Sequence, residues 1–266
     1  MRVNEKIQSV WHESRFIFSS KKKAAYIGWN GYRNLGDEAL LKACEFLLED
    51  HFILYKKHYT GKGVQYLMNN RFDVSILGGG TLIHSDSFLE RFSTLESDRK
   101  IVFGTGVMDP VFWKDCKGIV HNTEGWRNAL DKADYLSVRG PRSKEILVNE
   151  GVTKTIEIAG DPALVFADPE VMKKPGGKVL GVNVGRTRDL LWGGNDESFL
   201  SDLIPHLQRL GKIGWKFKFF PVSRDDLGMI QKTMETLAVY GVECVKNFIS
   251  LESYINEMRS VDIFLG

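Results

Sequence analysis

The stretch GWNGYRNLGDEALLKA, residues 28–43, sets Gly28, Gly31 and Gly36 beside Asn30, Asn34 and Asp37 between an apolar strand and an apolar helix. A strand-to-helix connection usually needs about 2–6 residues. A longer one rich in glycine lets a ligand approach the backbone closely. Asp37 precedes the helical pattern. It either N-caps that helix, a contribution of about 0.5–2 kcal/mol relative to Ala, or binds a hydroxyl or acts as a base. His84 follows GGGTLI at a strand-to-helix junction and is either a structural histidine or a proton carrier; His121 and Asn122 repeat the placement more weakly. Arg139 ends a strand in YLSVRG, and Arg142 opens the next helix. Arg186 and Arg188 in GRTRD repeat that arrangement. Guanidinium forks match carboxylate and phosphate bidentately. Each of these arginines is therefore either half of a surface ion pair or a grip on an anion, and two such strand ends suit a doubly anionic substrate.

The glycines recur at the predicted carboxyl ends of strands: Gly28 to Gly36, Gly78 to Gly80, Gly104 and Gly106, Gly140, Gly160 and Gly185. Parallel sheets bind their ligands outside those ends, where backbone N–H groups and helix N-termini attract anions. Singly, each cluster reads as turn chemistry; together they point to a small anionic ligand. The dinucleotide fingerprint G-x-G-x-x-G is absent after the first strand.

Short apolar runs alternate with helical patterns along the whole chain. AAYIG, FILYKKHY, DVSILGGG, KIVFGTGV, YLSVRG and TIEIAGD read as strands, with helices expected over 38–49, 124–132 and 142–149. Such alternation predicts α/β architecture, a parallel sheet covered by helices on both faces. Around DPEVMKKPGGK the apolar pattern stops, then resumes with KVLGVNVG, WKFKFFPV, VECV and VDIFLG between three further helices. The expected organisation is an N-terminal basic arm over 1–23, a Rossmann-like doubly wound domain over 24–167, a linker over 168–177, and a second Rossmann-like domain over 178–266. The final strand has no covering helix after it, so the second domain is expected to be incomplete.

Composition bounds the partners. The chain has 266 residues, a net charge of +2, 43% hydrophobic and 26% charged residues, an ordinary globular balance that argues against a dedicated nucleic-acid binder. Cys44, Cys116 and Cys244 are scattered, without metal spacing or a disulfide framework, which fits a reducing cytoplasm; no obligatory metal or cofactor is expected. No run approaches the roughly 20 apolar residues of a spanning helix. The arm interleaves Arg15, Lys21, Lys22 and Lys23 with Val10, Trp11, Phe16, Ile17 and Phe18. It is either a solvated segment packed lightly on the body or a contact for an anionic membrane surface.

GYRNLGDEAL, LGGGTLI, GTGV, SVRGPRSKEIL and IAGDPAL occur in this order. On these motifs the chain resembles the polysaccharide pyruvyl transferase family from about residue 24 to residue 266. The resemblance implies two Rossmann-like domains in a GT-B-like arrangement. It also implies transfer of a pyruvyl group from phosphoenolpyruvate to a sugar, usually as a cyclic ketal, on a cell-surface polysaccharide or its polyprenyl-linked precursor at the cytoplasmic membrane face. Asn34, Gly36, Asp37, Arg139 and Asp161 fall on the family's motif positions. With the strand-end residues, the expected site comprises Asp37 and His84 as catalytic groups, and Asn34, Gly36, Gly79, Gly80, Arg139, Asp161 and Arg186 as substrate-binding groups. Gly140 stands where many members have Asp. SLESYINEMRSVDIFLG resembles the family segment that leads into an Arg-Leu-His motif carrying a phosphate-binding arginine and a catalytic histidine. That motif is not within the 266 residues, so the resemblance also implies weak donor binding and no turnover by this chain alone. Two other functions share such folds: a nucleotide-sugar glycosyltransferase, which would release a nucleoside diphosphate, and a non-catalytic sugar-binding remnant, which would bind without turnover.

Overall fold

The computed structural model describes residues 14–32, 34–55, 71–109, 122–168, 176–185, 195–246 and 249–266. The apolar runs form two sheets, every pairing parallel. The first has seven strands among the described residues. They are β1 (Lys22–Ile27), β2 (Phe52–Tyr55), β3 (Arg71–Leu77), β4 (Thr81–Ile83), β5 (Glu96–Val107), β6 (Tyr135–Val138) and β7 (Glu157–Ile158). Their order is β2-β1-β3-β5-β6-β7, with β4 paired to β5 off this path. The second sheet runs β10 (Val242–Cys244), β9 (Lys216–Phe219), β8 (Val179–Val182), β11 (Ile263–Leu265). Both are α/β layers of the Rossmann-like kind.

Side chains on β1 show why its sequence is continuously apolar. Ala24 and Tyr26 face a cluster with Leu41 and Cys44 of helix α1 (Leu35–Leu48). Ala25 joins Phe16, Tyr55 and Phe72, and Ile27 joins the largest cluster, around Leu77, Phe88, Phe92, Trp126 and Leu130. A strand buried on both faces cannot alternate polar with apolar. Burial pushes the Cys44 thiol up to about 12, with Glu45 adding to the shift, so this cysteine is an inert core residue. In the second sheet, Leu180, Val182, Phe217 and Phe219 pack against helices α5 (Asp196–Lys212) and α6 (Leu227–Leu237). Phe220, Tyr254 of α7 (Leu251–Met258) and Val261 form a separate cluster. The last strand, β11, is an edge whose Ile263, Phe264 and Leu265 are exposed.

Three sequence expectations need correction. Helix α2 (Asp86–Thr94) and strand β4 were not anticipated as separate elements; α2 buries Phe88, Leu89 and Phe92, a short apolar stripe inside a polar run. Strand β1 begins at Lys22, inside the stretch assigned to the arm. And the arm is not merely a lightly packed segment where it meets the body. Residues 14–18 are helical, and Phe16 is fully buried, its ring 5.3 Å from that of Tyr55 and 6.2 Å from that of Phe72. Ala25 offers only a methyl group here, and the phenyl ring fills the space. Phe18 is exposed; Val10 and Trp11 lie outside the described residues. Among the described residues no helix is long and apolar enough to cross a membrane.

Proximity of Cα atoms divides the chain into two compact units that change over between Ala167 and Asp168. Among the described residues, Tyr32–Glu38 is the internal segment that groups with the second unit. Helix α3 (Thr123–Asp131) and helix α4 (Pro141–Asn149) belong to the first.

At Gly104 the β5–β6 register shifts, between Val102 and Thr105. Its φ is +59, and a Cβ there would lie 2.7 Å from Pro162 Cδ and 2.9 Å from the Gly160 carbonyl oxygen. Gly104→Ala is therefore expected to destabilise the protein by about 1–3 kcal/mol from crowding alone, with a further cost from the left-handed backbone. Urea unfolding measures this; an unchanged midpoint would mean that the bulge relaxes freely.

Candidate functional site

Strand order fixes where ligands can enter. From β1 the first sheet grows toward β2 on one side and β3 on the other, so the carboxyl ends of β1 and β3 bound a topological switch point. In the second sheet the switch point lies between β8 and β11. The first is lined by Gly28 and by Gly78, Gly79 and Gly80. These glycines are demanded by packing as well as by any ligand. A Cβ at Gly28 would lie 2.4 Å, and one at Gly78 2.2 Å, from the Tyr26 ring; one at Gly79 would lie 2.5 Å from Leu40. Gly80 turns the chain with φ +95. Its carbonyl accepts the Gly106 N–H at 2.7 Å and the Thr105 hydroxyl at 3.1 Å.

Arg139 and Asp161 are brought together. Arg139 follows β6, and its backbone N–H donates to Thr105 O at 3.0 Å. Its Nε lies 3.1 Å from Asp161 Oδ2, yet makes no aligned hydrogen bond. The contact is thus coulombic. With both side chains about one-third exposed (37% and 32%), it is worth about 0–1 kcal/mol. Asp161 also caps the 3-10 turn Pro162–Phe166, accepting Ala163 N–H at 2.9 Å. Directly after Arg139, helix α4 starts from Gly140 with no side-chain cap, and nothing stands within 4 Å of where a Gly140 Cβ would be. Its first turn carries no acid. The start of this helix, without a side-chain cap, and the Arg139 guanidinium lie at the same strand end; helix N-termini and guanidinium groups both favour anions. Arg142 is not part of it: its guanidinium forks onto Asp109 at 2.9 and 2.7 Å and reaches Glu145 at 3.0 Å. Sequence reasoning passed over Ser143, whose hydroxyl accepts the Val107 N–H at 3.2 Å and holds α4 against β5.

Asn34, Gly36 and Asp37 share one turn, but the cap is Asn34 and not Asp37. Asn34 Oδ1 accepts Gly36 N–H at 3.0 Å and Asp37 N–H at 3.4 Å, while its carbonyl accepts Glu38 N–H at 3.0 Å. Helix α1 therefore begins at Leu35, three residues earlier than the apolar pattern suggested. Asp37 and Glu38 lie in its first turn. Two carboxylates there repel an anion, so this helix end suits a hydroxyl group rather than a phosphate. Leu35 N–H donates to Val222 O at 2.9 Å.

His84 is fully buried, with φ +79. Its Nδ1 lies 2.9 Å from the Met108 carbonyl oxygen and its Nε2 lies 2.8 Å from Glu150 Oε2. A carbonyl can only accept, so Nδ1 donates to Met108 O and Nε2 faces the Glu150 carboxylate. An acid role for His84 would require breaking the Glu150 contact and opening the site to substrate. Asn122 is the N-cap of α3, accepting Gly125 N–H at 2.8 Å. His121, Arg186 and Arg188 lie outside the described residues.

Parallel strands with glycine turns, an arginine and a helix start without a side-chain cap at their carboxyl edge define an α/β protein. The chain belongs to the polysaccharide pyruvyl transferase family, whose pattern it matches over residues 34–266. That membership makes it one of a class of transferases acting in polysaccharide pyruvylation. Among curated proteins, none matches the chain. A solved structure of a functionally uncharacterized protein from Klebsiella pneumoniae subsp. pneumoniae is similar at 14% identity and a TM-score of 0.41, covering 92% of this chain and 100% of that one.

Proposed function

We propose that the protein transfers a pyruvyl group from phosphoenolpyruvate to a pair of hydroxyls on a sugar, forming a ketal. The observation that carries this reading is Arg139 beside the start of helix α4, which has no side-chain cap, its side chain tethered among the described residues by the weak contact to Asp161. Exchanging that contact for a ligand's carboxylate or phosphate costs little. In the reaction, a proton adds to the methylene carbon of the donor and positive charge develops at C2. An acceptor hydroxyl oxygen bonds to C2 while Asp37 takes its proton. The bond from C2 to the phosphate oxygen then breaks and phosphate leaves; a second hydroxyl oxygen bonds to C2 and closes the ketal as its proton passes to the departing phosphate. Preorganised donors such as Arg139 and the α4 amides stabilise the negative charge on the departing phosphate. His84 is the sequence-based candidate for the acid, subject to release of its Glu150 contact; Asn34, Gly36, Gly79, Gly80 and Arg186 complete the proposed site. No metal or cofactor enters the scheme. The GT-B-like pairing of the two units, a polyprenyl-linked acceptor and work at the cytoplasmic face of the membrane belong to the same proposal.

The test follows phosphate release from phosphoenolpyruvate with a panel of hexoside acceptors. It uses the chain and its extension through the natural reading frame, and no nucleotide. Release that depends on acceptor supports the reading; release of a nucleoside diphosphate from a nucleotide sugar instead would replace it. Donor binding is tested separately. Arg139→Lys keeps the charge but loses the fork, and is expected to weaken phosphoenolpyruvate binding by about 10- to 100-fold, the effect of one charge-assisted hydrogen bond of roughly 1.5–3 kcal/mol. Equal affinities by calorimetric titration would remove Arg139 from the donor site.

A further inference from the structure

The 34–37 turn depends on a contact that its own sequence does not supply. The Leu35 N–H is one of the first amides of helix α1 and has no intrahelical acceptor; it donates to Val222 O at 2.9 Å. Leu35 also packs against the cluster of Phe220, Val245, Tyr254 and Val261. The turn that carries Val222 is itself held by one buried carboxylate, that of Asp226, which is 6% exposed. Asp226 Oδ2 accepts Val222 N–H at 2.9 Å and Ser223 N–H at 2.8 Å, and Oδ1 accepts the Ser223 hydroxyl at 3.2 Å. Asn183 Nδ2 donates to Phe220 O at 2.8 Å and approaches Asp226 Oδ2 at 3.4 Å. All these residues belong to the second unit. Isolated carboxylates are costly to bury. This one is stabilised because two backbone N–H groups and a hydroxyl converge on it.

We infer that Asp226 is a positioning residue for the proposed reaction: it fixes the 220–223 turn, whose Val222 carbonyl in turn fixes Leu35 and so places Asn34, Gly36 and Asp37. The inference rests on the pyruvyl-transfer reading for its catalytic consequence, and on geometry alone for the link from Asp226 to Leu35. Nothing in the sequence marks Asp226 for this, because the aspartate and the 34–37 turn are far apart along the chain.

Asp226→Asn is the informative variant. It keeps an oxygen where Oδ2 stands but replaces a charged acceptor by a neutral one, whose hydrogen bonds are about half as strong. The Leu35 amide is then expected to exchange with deuterium about tenfold faster, on the scale of one weakened hydrogen bond. Amides of β8 and β9 should be unchanged. In whichever form of the protein releases phosphate, kcat should fall by a similar factor with the KM for phosphoenolpyruvate unchanged, since the donor grip lies at Arg139. Asp226→Ala, which removes both acceptor oxygens, should exchange faster still if it folds. Unchanged Leu35 exchange in Asp226→Asn overturns the link, and faster exchange spread through β8 and β9 shows general loosening and overturns it as well. Faster Leu35 exchange with an unchanged kcat overturns the positioning role. If the unmodified protein releases no phosphate, the pyruvyl-transfer reading falls and takes the catalytic part of the inference with it. The exchange result still decides whether Asp226 holds the turn.

Discussion

Asp37→Asn is expected to lower the turnover of pyruvyl transfer by about 10²- to 10⁴-fold, the range of a lost general base, while leaving the fold almost as stable. The two effects separate because Asn34, not Asp37, caps helix α1. Asp37 sits in the first turn, where its charge favours the helix by only about 0.3–1 kcal/mol. An amide at this position fills the same volume and cannot take a proton from the acceptor hydroxyl. Phosphate release, measured in whichever of the two chain lengths turns over, gives the first quantity; urea unfolding gives the second. A variant with unchanged turnover would confine Asp37 to helix stabilisation. A variant that lost several kcal/mol of stability would show that its carboxylate serves the fold instead.

Phe16→Ala should remove about 3–5 kcal/mol of stability, the usual cost of emptying a phenyl-sized space in a core. The ring is fully buried and lies between Tyr55 and Phe72. The Lys23 ammonium stands 5.4 Å from its centroid, and Lys23 Nζ reaches back to Ser19 O at 2.5 Å. Ala25, in the same cluster, has only a methyl group and cannot fill the void. Since whole domains are stable by only about 5–15 kcal/mol, a loss of this size should be plain in a urea midpoint. A shift below about 1 kcal/mol would restore the view that the arm only rests on the surface.

Most of the fold was legible because strands buried on both faces, such as AAYI of β1, read as apolar runs; VDIFLG is as apolar although Ile263, Phe264 and Leu265 are exposed. Helix α7 was expected and found over Leu251–Met258. Helix α2 was missed because its buried residues are only Phe88, Leu89 and Phe92, set among serines, charges and a threonine. The start of helix α1 was misplaced for a different reason. Apolar periodicity begins at Ala39 and Leu40, whereas the helix begins where Asn34 first captures backbone amides and Leu35 meets a carbonyl from another part of the chain. The glycines near the first switch point were read as space for a ligand. Their nearest claimants are the ring of Tyr26 and the side chain of Leu40, which no local pattern announces. For the candidate site, strand-end placement singled out Arg139 and the family motif singled out Asp161, but neither showed that the two touch. The isolation of His84 from solvent follows from Met108 and Glu150, neither of which stood out in the sequence.

The bond from Leu35 to Val222 also imposes an order of events during synthesis. Its donor, Leu35, leaves the ribosome well before its acceptor, Val222, is made. At about 5–20 residues per second, the first unit's own sheet strands are all translated several seconds before Val222 exists. Until then the front of helix α1 lacks that acceptor, and the turn bearing Asn34 and Asp37 lacks its anchor. In the nascent protein, Asn34 and Asp37 are thus translated well before the carbonyl that secures their turn.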